Sequence, residues 1–260
     1  ARRLLRRARV ARVVLTAAHA PAPVRAVWRR VAAVVLAAGE SRRMGTNKLL
    51  LPWGETTVLG QTLANAAAAA VHELLLVTGH ERERVEAVAR GALGANLEAR
   101  SESGHSGDGQ QSGDATASMG HGGRERSSVT IHNADYANGM LSSVQAAIRA
   151  LPPTTDAVLV LLGDQPMVTP DLLDRLLLAY AASPAGLVAP YHDGRRGNPV
   201  LIDRRYFDEL LALPAEGAPR LLLARHTDDL LAVDMDSEAV LHDLDRPEEY
   251  ERWRPGSEKS

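Results

Sequence analysis

The chain has 260 residues, a formal net charge of −2 and no cysteine. The small net charge gives no general attraction to nucleic acid or membranes, and an aromatic content of 3% leaves few platforms for stacking bases. The lack of cysteine excludes disulfides, zinc–thiolate sites and thiol nucleophiles. No apolar run approaches the ~20 residues that a membrane-spanning helix needs. We therefore expect a cytoplasmic globular protein without nucleic-acid or membrane partners.

The first 30 residues differ from the rest. They contain nine arginines and no acidic residue. One interpretation is a targeting segment, with a short apolar run at residues 13–15 and a possible cleavage site at 18–20. The other is a disordered or weakly helical extension, and we favour this one. The folded domain is then expected at residues 31–254.

The folded part begins with an apolar run at residues 31–36, typical of a strand buried on both faces of a parallel sheet. Small residues follow it, which let a backbone pass close to a ligand. A hydroxyl, three cations and a second glycine come next: Ser41, Arg42, Arg43, Lys48 and Gly45. Such a loop is suited to holding phosphates. Its spacing fits neither the dinucleotide fingerprint nor the Walker loop.

Strands and helices alternate downstream of this loop. Helices are predicted at residues 57–70, 81–90, 139–150, 170–181, 204–213 and 218–226, and strands at 73–78, 129–132, 156–162, 186–190 and 230–233. This alternation predicts an α/β fold with a mostly parallel sheet and helices on both faces. Residues 101–128 interrupt it with seven Gly and seven Ser. A segment with so few apolar residues cannot offset its ordering entropy, so we expect a flexible insertion.

Two acidic residues, Asp164 and Asp245, lie where local structure allows more than one role. Asp164 follows the strand at 156–162, and ligands of open α/β sheets bind at the carboxyl ends of strands. Asp245 lies near the C-terminus, directly before a segment that reads as a helix start, so an N-cap role is an alternative for it. The same choice applies to Ser142 and Ser143, which either cap a helix or add hydrogen bonds to a ligand there.

Two motifs carry a resemblance to a known family. Residues 36–48 contain L-A-A-G-x-S-x-R-M-G-x-x-K with every fixed position filled, and residues 163–166 read G-D-Q-P. On these motifs the chain resembles the MobA-like nucleotidyltransferases, most closely the molybdenum cofactor cytidylyltransferases. The resemblance covers residues 31 to about 252 apart from the insertion. It implies a three-layer Rossmann-like sheet of the nucleotide-diphospho-sugar transferase type.

The resemblance also implies roles for individual residues. Arg43, Lys48 and Asp164 would be catalytic, with the two cations on the triphosphate. Asp164 and Asp245 would bind Mg²⁺, which prefers carboxylate oxygens. The residues implied to contact the nucleotide are Leu36, Ala37, Ala38, Gly39, Ser41, Gly45, Gly139, Ser142 and Ser143.

The implied reaction transfers CMP from CTP to Mo-molybdopterin, giving molybdopterin cytosine dinucleotide and pyrophosphate. A terminal phosphate acceptor is already anionic near neutral pH, so no general base is required. Guanylyl-transferring relatives usually carry glycine at the position of Ala38, whose methyl group leaves less room for a purine. The product would pass to a molybdenum hydroxylase or its maturation factor.

Three alternatives stay open. One is a guanylyl- or other nucleotidyltransferase of the same family, and another is a non-catalytic module that delivers cofactor. The third is a nicotinamide-nucleotide oxidoreductase on the same sheet, against which stands the missing glycine fingerprint. The chain also departs from the family at Asn198, where relatives usually carry histidine. Nearby Arg195 and Arg196 either bind an anionic acceptor or are exposed arginines of a hairpin.

Overall fold

A computed structural model describes the backbone of residues 13–16, 24–94, 97–100, 128–214 and 219–256, and the side chains of residues 29–94, 128–214 and 219–256. The strands are β1 Val13–Thr16, β2 Val24–Trp28, β3 Val31–Ala37, β4 Pro52–Trp53, β5 Thr56–Thr57, β6 Glu73–Thr78, β7 Leu97–Arg100, β8 Ser128–His132, β9 Ala157–Leu162, β10 Leu187–His192, β11 Arg195–Arg196, β12 Val200–Asp203 and β13 Leu230–Asp234. The α-helices are α1 Val58–Ala68, α2 Arg82–Leu93, α3 Met140–Ala150, α4 Pro170–Ala182, α5 Phe207–Ala212, α6 Pro219–Arg225 and α7 Pro247–Trp253.

One nine-stranded sheet organises the fold. Its order is β11-β10-β12-β9-β3-β6-β8-β7, and β13 also pairs with β10. The pairs β7–β8, β8–β6, β6–β3, β3–β9 and β10–β13 are parallel. Only β11 and β12 run against the others. The prediction of a mostly parallel sheet is confirmed.

The two faces of the sheet are buried by different helices, which gives three layers. In β3, Ala33 and Val35 belong to the core that includes α1, α2 and α4, whereas Ala32 and Val34 belong to the core that includes α3, α5 and α6. The alternation arises because successive side chains of a strand point to opposite faces of the sheet. We call the two sides the α1 face and the α3 face. The three-layer arrangement confirms the predicted fold class.

The C-terminal segment is anchored beside the start of α1. Leu244 is fully buried against Trp53 and Val58, and the hydroxyl of Tyr250 in α7 donates to the carbonyl of Pro52 at 2.6 Å. The amide of Leu244 also donates to the carbonyl of Asp164 at 3.2 Å. These contacts hold residues 243–245 at the edge of the sheet where the parallel strands end.

The predicted elements recur with small shifts at their ends. The predicted helix at 204–213 is a 3-10 turn at Arg204–Tyr206 followed by α5, because the carboxylate of Asp203 accepts from the amide of Arg205 and begins the turn. Within the predicted N-terminal extension, β1 and β2 form a two-stranded antiparallel sheet, and the rest of residues 1–23 lies outside the described residues. Residues 101–127 of the predicted insertion lie outside them too. No helix of the described ranges combines the length and apolar character needed to cross a bilayer.

The burial of α4 leads to a stability prediction with a control in the same helix. Leu176 is 0% exposed and Leu178 is 38% exposed. We expect Leu176→Ala to lower the free energy of unfolding by about 2–5 kcal/mol, because it removes packed methyl groups and leaves a cavity. Leu178→Ala should cost less than about 1 kcal/mol. Urea denaturation measures both, and equal costs would contradict the assignment of the buried face.

Candidate active site

The carboxyl ends of β3 and β9 meet at one edge of the sheet, and a cavity of about 340 Å³ opens there. Most of the predicted site residues line this cavity. They are Leu36, Ala38, Gly39, Ser41, Arg43, Lys48, Gly139, Ser143, Asp164 and Asp245. The structure therefore brings the basic loop, the start of α3 and both predicted acids to one place.

Three predicted site residues do not line the cavity. Ala37 is buried in the core on the α1 face. Gly45, with φ of 68°, ends a 3-10 turn and borders a neighbouring depression. The hydroxyl of Ser142 accepts from the amide group of Asn133 at 2.8 Å and lies 2.8 Å from the carbonyl of Gly139. Ser142 thus joins the start of α3 to the preceding loop, and it is not the N-cap, which is Gly139 without a side-chain cap. Nucleotide contacts by these three residues, as by the residues that line the cavity, stay predictions.

The basic loop folds back on itself. Ser41 adopts a left-handed conformation with φ of 53°, and Arg42–Met44 form a 3-10 turn that ends at Gly45. The amide of Lys48 donates to the hydroxyl of Ser41 at 3.2 Å, which closes the loop. As a result Arg43 and Lys48, five positions apart in the sequence, both reach the same carboxylate.

Lys48 lies between the two predicted acids. Its ammonium nitrogen is 2.5 Å from Asp164 Oδ2 and 2.5 Å from Asp245 Oδ1. Arg43 Nη1 is 2.5 Å from the other oxygen of Asp245. The arginine is largely exposed, with 69% of its side chain accessible, whereas Lys48 is 14% accessible. The cations of the loop are therefore paired with acids in this structure, and Lys48 is the one that bridges two of them.

The pKa values reflect this pairing. Burial alone would lower the pKa of Lys48, but attraction by Asp164 and Asp245 outweighs burial and raises it above its usual value. Burial alone would raise the pKa of Asp245, and hydrogen bonding to Lys48 with the charges of Lys48 and Arg43 reverses that effect and lowers it. Lys48 and Asp245 are therefore both charged near neutral pH.

A third acid at the site was missed by the sequence interpretation. Asp243 lines the cavity, and its carboxylate oxygen lies within 4.8 Å of oxygens from Asp164 and Asp245. The pKa of Asp243 is raised by burial and by the negative charges of Asp164 and Asp245. The signal was present in the sequence: in an extended D-L-D segment the two acids share one side, with the buried Leu244 on the other.

Tyr136 also lines the cavity and was not predicted as a site residue. Gly79 at the end of β6 permits the close approach of Tyr136, because an added Cβ would lie 2.6 Å from the Cβ of Tyr136 and 2.8 Å from the Cβ of Ala38. Sequence spacing gives no indication of this packing, since the three residues come from separate segments.

The acid cluster has the chemistry of a site for a hard divalent cation. It offers carboxylate oxygens only, which Mg²⁺ and similar ions prefer. Asp164 Oδ1 is buried and has no hydrogen-bond partner among the described residues, although buried polar atoms are normally paired. The ammonium of Lys48 already brings a positive charge between two of the carboxylates. The residues present therefore fit a metal ion.

A three-layer sheet with a basic loop and an acid cluster at the carboxyl edge defines an enzyme of the nucleotidyltransferase type. The chain belongs to the family of MobA-like NTP transferase domains, whose profile matches residues 33–230. The family assignment based on the two sequence motifs is confirmed. Membership of this family supports the predicted nucleotidyltransferase over the two alternatives from other classes, the oxidoreductase and the non-catalytic module.

The chain is similar to several characterised proteins. It is 26% identical over 219 residues to the molybdenum cofactor cytidylyltransferase of Escherichia coli K12, and the alignment covers 84% of this chain and 92% of that protein. It is 28% identical over 223 residues to the purine catabolism protein PucB of Bacillus subtilis 168, with 85% and 94% covered. The structure of Rv0371C from Mycobacterium tuberculosis in complex with manganese aligns with a TM-score of 0.56 at 25% identity, with 86% and 97% covered.

The opposite pKa shifts of two neighbouring acids lead to a testable prediction. The raised pKa of Asp243 means that its charged form is penalised in the folded protein, so it costs stability once the pH exceeds its usual pKa. The lowered pKa of Asp245 means that its charge stabilises the fold above its usual pKa and that this contribution is lost as the pH falls.

We therefore expect Asp243→Asn to raise the urea midpoint of the metal-free protein at pH 7 and Asp245→Asn to lower it. The Asp243→Asn difference should fade as the pH falls toward the usual carboxyl pKa, whereas the Asp245→Asn difference should persist there and shrink only at lower pH, because the pKa of Asp245 is lowered in the folded protein. Urea titrations with chelator present at several pH values measure this, and a lower midpoint for Asp243→Asn at pH 7 would contradict the prediction.

Proposed function

We propose that this enzyme transfers CMP from CTP to Mo-molybdopterin, forming molybdopterin cytosine dinucleotide and releasing pyrophosphate, with Mg²⁺ as the metal. The observation that carries the proposal is the meeting of Arg43 and Lys48 with Asp164 and Asp245 in one cavity. Transfer of a nucleotidyl group from a triphosphate requires cations that bind the phosphates and carboxylates that bind a metal ion, placed close together. Support for the cytidylyl donor and the molybdopterin acceptor comes from the named activity of the E. coli relative.

Ala38 supports a pyrimidine in the base position. It lines the cavity, is 5% exposed and packs beside Gly79 and Tyr136. Its methyl group therefore takes up space at the wall of the cavity that a glycine would leave open. A pyrimidine has one ring fewer than a purine, so it is the base that tolerates the smaller space.

The triphosphate is assigned to the basic loop. Arg43 is largely exposed and can turn toward a ligand without leaving a buried site, and its planar guanidinium suits phosphate oxygens. Lys48 is the residue whose partners must change, because its ammonium is held by two carboxylates in the free enzyme. Each charge-assisted hydrogen bond to a phosphate would contribute roughly 1.5–3 kcal/mol.

Asp164, Asp245 and the unpredicted Asp243 would hold the metal ion. A divalent ion bound there supplies positive charge near the reacting phosphate and the leaving pyrophosphate. The mycobacterial relative was solved with manganese, an ion that binds similar oxygen ligands. We take Mg²⁺ as the ion of this enzyme because it takes one or two carboxylates and leaves further positions for phosphate oxygens.

The acceptor needs no general base in this scheme. A terminal phosphate is already ionised near neutral pH, so the chain's task is to position it and to stabilise the charge that develops on the donor. Among the described residues that line the cavity there is no histidine, in keeping with an acceptor that carries no proton to be removed. Transfer of the product to a molybdenum hydroxylase or its maturation factor stays a prediction, as does a cytoplasmic location.

A panel of the four nucleoside triphosphates tests the donor. With Mg²⁺ and Mo-molybdopterin, we expect pyrophosphate release with CTP and at least about 10-fold less with GTP. A tenfold ratio corresponds to a difference of ~1.4 kcal/mol in the free energy with which the site binds the two nucleotides. Ala38→Gly should narrow this ratio by improving turnover with GTP, because it removes the methyl group from the wall of the cavity.

Two outcomes would count against the proposal. A preference of the wild-type enzyme for GTP would overturn the cytidylyl assignment, and release of pyrophosphate that does not depend on Mo-molybdopterin would overturn the acceptor. A ratio unchanged by Ala38→Gly would remove Ala38 from the explanation and leave the donor assignment intact. Arg90→Gln replaces an exposed residue of α2. It serves as a control, and its CTP-to-GTP ratio and its dependence on Mo-molybdopterin should equal those of the wild type.

A further inference from the structure

A tight hairpin with two exposed arginines lies at the same edge of the sheet as the cavity. It joins β10 to β11 through a two-residue turn, Asp193 and Gly194, both with positive φ values of 48° and 74°. This is the pattern of the tight turns that suit antiparallel strands. Arg195 and Arg196 are exposed, and neither forms an ion pair or a side-chain hydrogen bond with another described residue.

The register of the hairpin places the two arginines on opposite faces. Arg196 is paired with Tyr191, and Arg195 is paired with His192. Directly opposed residues of antiparallel strands share a face. Tyr191 packs against the core of the α3 face, so Arg196 lies on that side. His192 contacts the carbonyl of Met235 at 2.8 Å, and Met235 belongs to the core of the α1 face.

Part of the cavity lies on the α3 face, although Leu49 in its lining belongs to the core of the α1 face. The floor of this part includes Leu36 and Leu162, and its wall includes Met140 and Ser143 of α3. Leu36 packs against the core of the α3 face, and Leu162 is its direct partner in the β3–β9 ladder. Arg196 and Tyr191 thus share a side with the part of the cavity that Leu36, Leu162 and α3 form, whereas Arg195 lies on the other side.

The same register gives the distance between Tyr191 and the cavity. Val188 of β10, Leu201 of β12 and Leu159 of β9 lie in one row across the sheet. Tyr191 and Leu162 are each three residues further along strands that run in the same direction, so they lie at the same height. They are two strand spacings apart, which is roughly 10 Å. Asp164 follows Leu162 by two residues.

We propose that Arg196, with Tyr191 beside it, binds the second substrate, and that this acceptor carries an anionic group on the side away from its reacting phosphate. The inference rests on the proposed function, because it takes the phosphate of the acceptor to lie at the Asp164 end of the cavity. The guanidinium of Arg196, which has no partner among the described residues, is suited to an anion in planar, two-point contact. A molecule bound from Asp164 to Arg196 would span about 10 Å or more along the sheet edge.

Arg196 therefore contributes to the affinity for the acceptor and takes no part in the chemical step. Arg195, on the opposite face of the same hairpin, is the matched control. With CTP, Mg²⁺ and Mo-molybdopterin, Arg196→Gln is expected to raise the KM for Mo-molybdopterin by at least about 10-fold, the loss of one charge-assisted hydrogen bond. The kcat and the KM for CTP should stay within about twofold of wild type, the scale of a near-neutral surface change. Arg195→Gln should leave all three unchanged, and Arg196→Lys should recover part of the loss because it keeps the charge.

The outcomes separate this inference from the proposed function. If the wild-type enzyme turns over CTP with Mo-molybdopterin and Arg196→Gln leaves the acceptor KM unchanged, the inference is overturned and the function stands. Equal effects of the two glutamine variants would also overturn it, since general charge would then explain them. If the wild type prefers another triphosphate or acceptor, the same variants are measured with those substrates, and an unchanged acceptor KM overturns the inference there too.

Discussion

Three carboxylates within 4.8 Å of one another repel, and a partly buried site weakens the screening that water would provide. Positive charge among the carboxylates offsets this repulsion. Lys48 supplies it in this structure, with its ammonium 2.5 Å from oxygens of both Asp164 and Asp245. Asp243 forms no ion pair with another described residue, and burial together with the charges of Asp164 and Asp245 raises its pKa. The site is therefore built to favour cations, and the stability of the metal-free protein depends on a residue that the substrate would also need.

The architecture explains how acids far apart in the sequence reach one another. Asp164 follows a buried strand in the middle of a mostly parallel sheet, next to the strand that leads into the basic loop. Asp243 and Asp245 arrive from the other end of the chain, held by the buried Leu244 between them. The hydrogen bond from the amide of Leu244 to the carbonyl of Asp164 at 3.2 Å joins the two segments. Buried strands and the buried Leu244 thus set the geometry, because the acids themselves lie in short irregular segments: Asp164 in a turn after β9, and Asp243 and Asp245 in a stretch without regular secondary structure.

Much of the fold and part of the site could be predicted from the sequence. Strands such as β6 and β9 are continuous apolar runs, which is a strong signal when a strand is buried on both faces. The basic loop and the G-D-Q-P turn were recognisable because fixed residue types recur there at fixed spacing. Asp243 was missed because the interpretation considered only Asp245 of the D-L-D segment, as a metal ligand or a helix cap, and did not apply the period of two to its neighbour. Tyr136 carries no local pattern, and its place at the cavity depends on long-range packing against Gly79.

The same limits apply to the charges. Arg43 and Lys48 were expected on phosphates, but spacing alone could not indicate that both would be paired with acids in the free enzyme. The register of the hairpin was likewise needed to separate Arg196 from Arg195, since two adjacent arginines look equivalent in a sequence. In both cases the role of a side chain depends on the face on which it lies or on the residue with which it pairs, and only the structure shows this.

The account depends most on the acid cluster being a site for a divalent ion, and direct Mn²⁺ binding tests this without any assay of turnover. Titrations followed by electron paramagnetic resonance would compare the wild type with Asp164→Asn and with Asp208→Asn, an exposed acid on α5. The account predicts binding by the wild type and by Asp208→Asn, and an affinity at least about 10-fold lower for Asp164→Asn, since even changes to residues around metal ligands cost that much. Equal Mn²⁺ affinity of Asp164→Asn and wild type, with both proteins folded by circular dichroism, would contradict it.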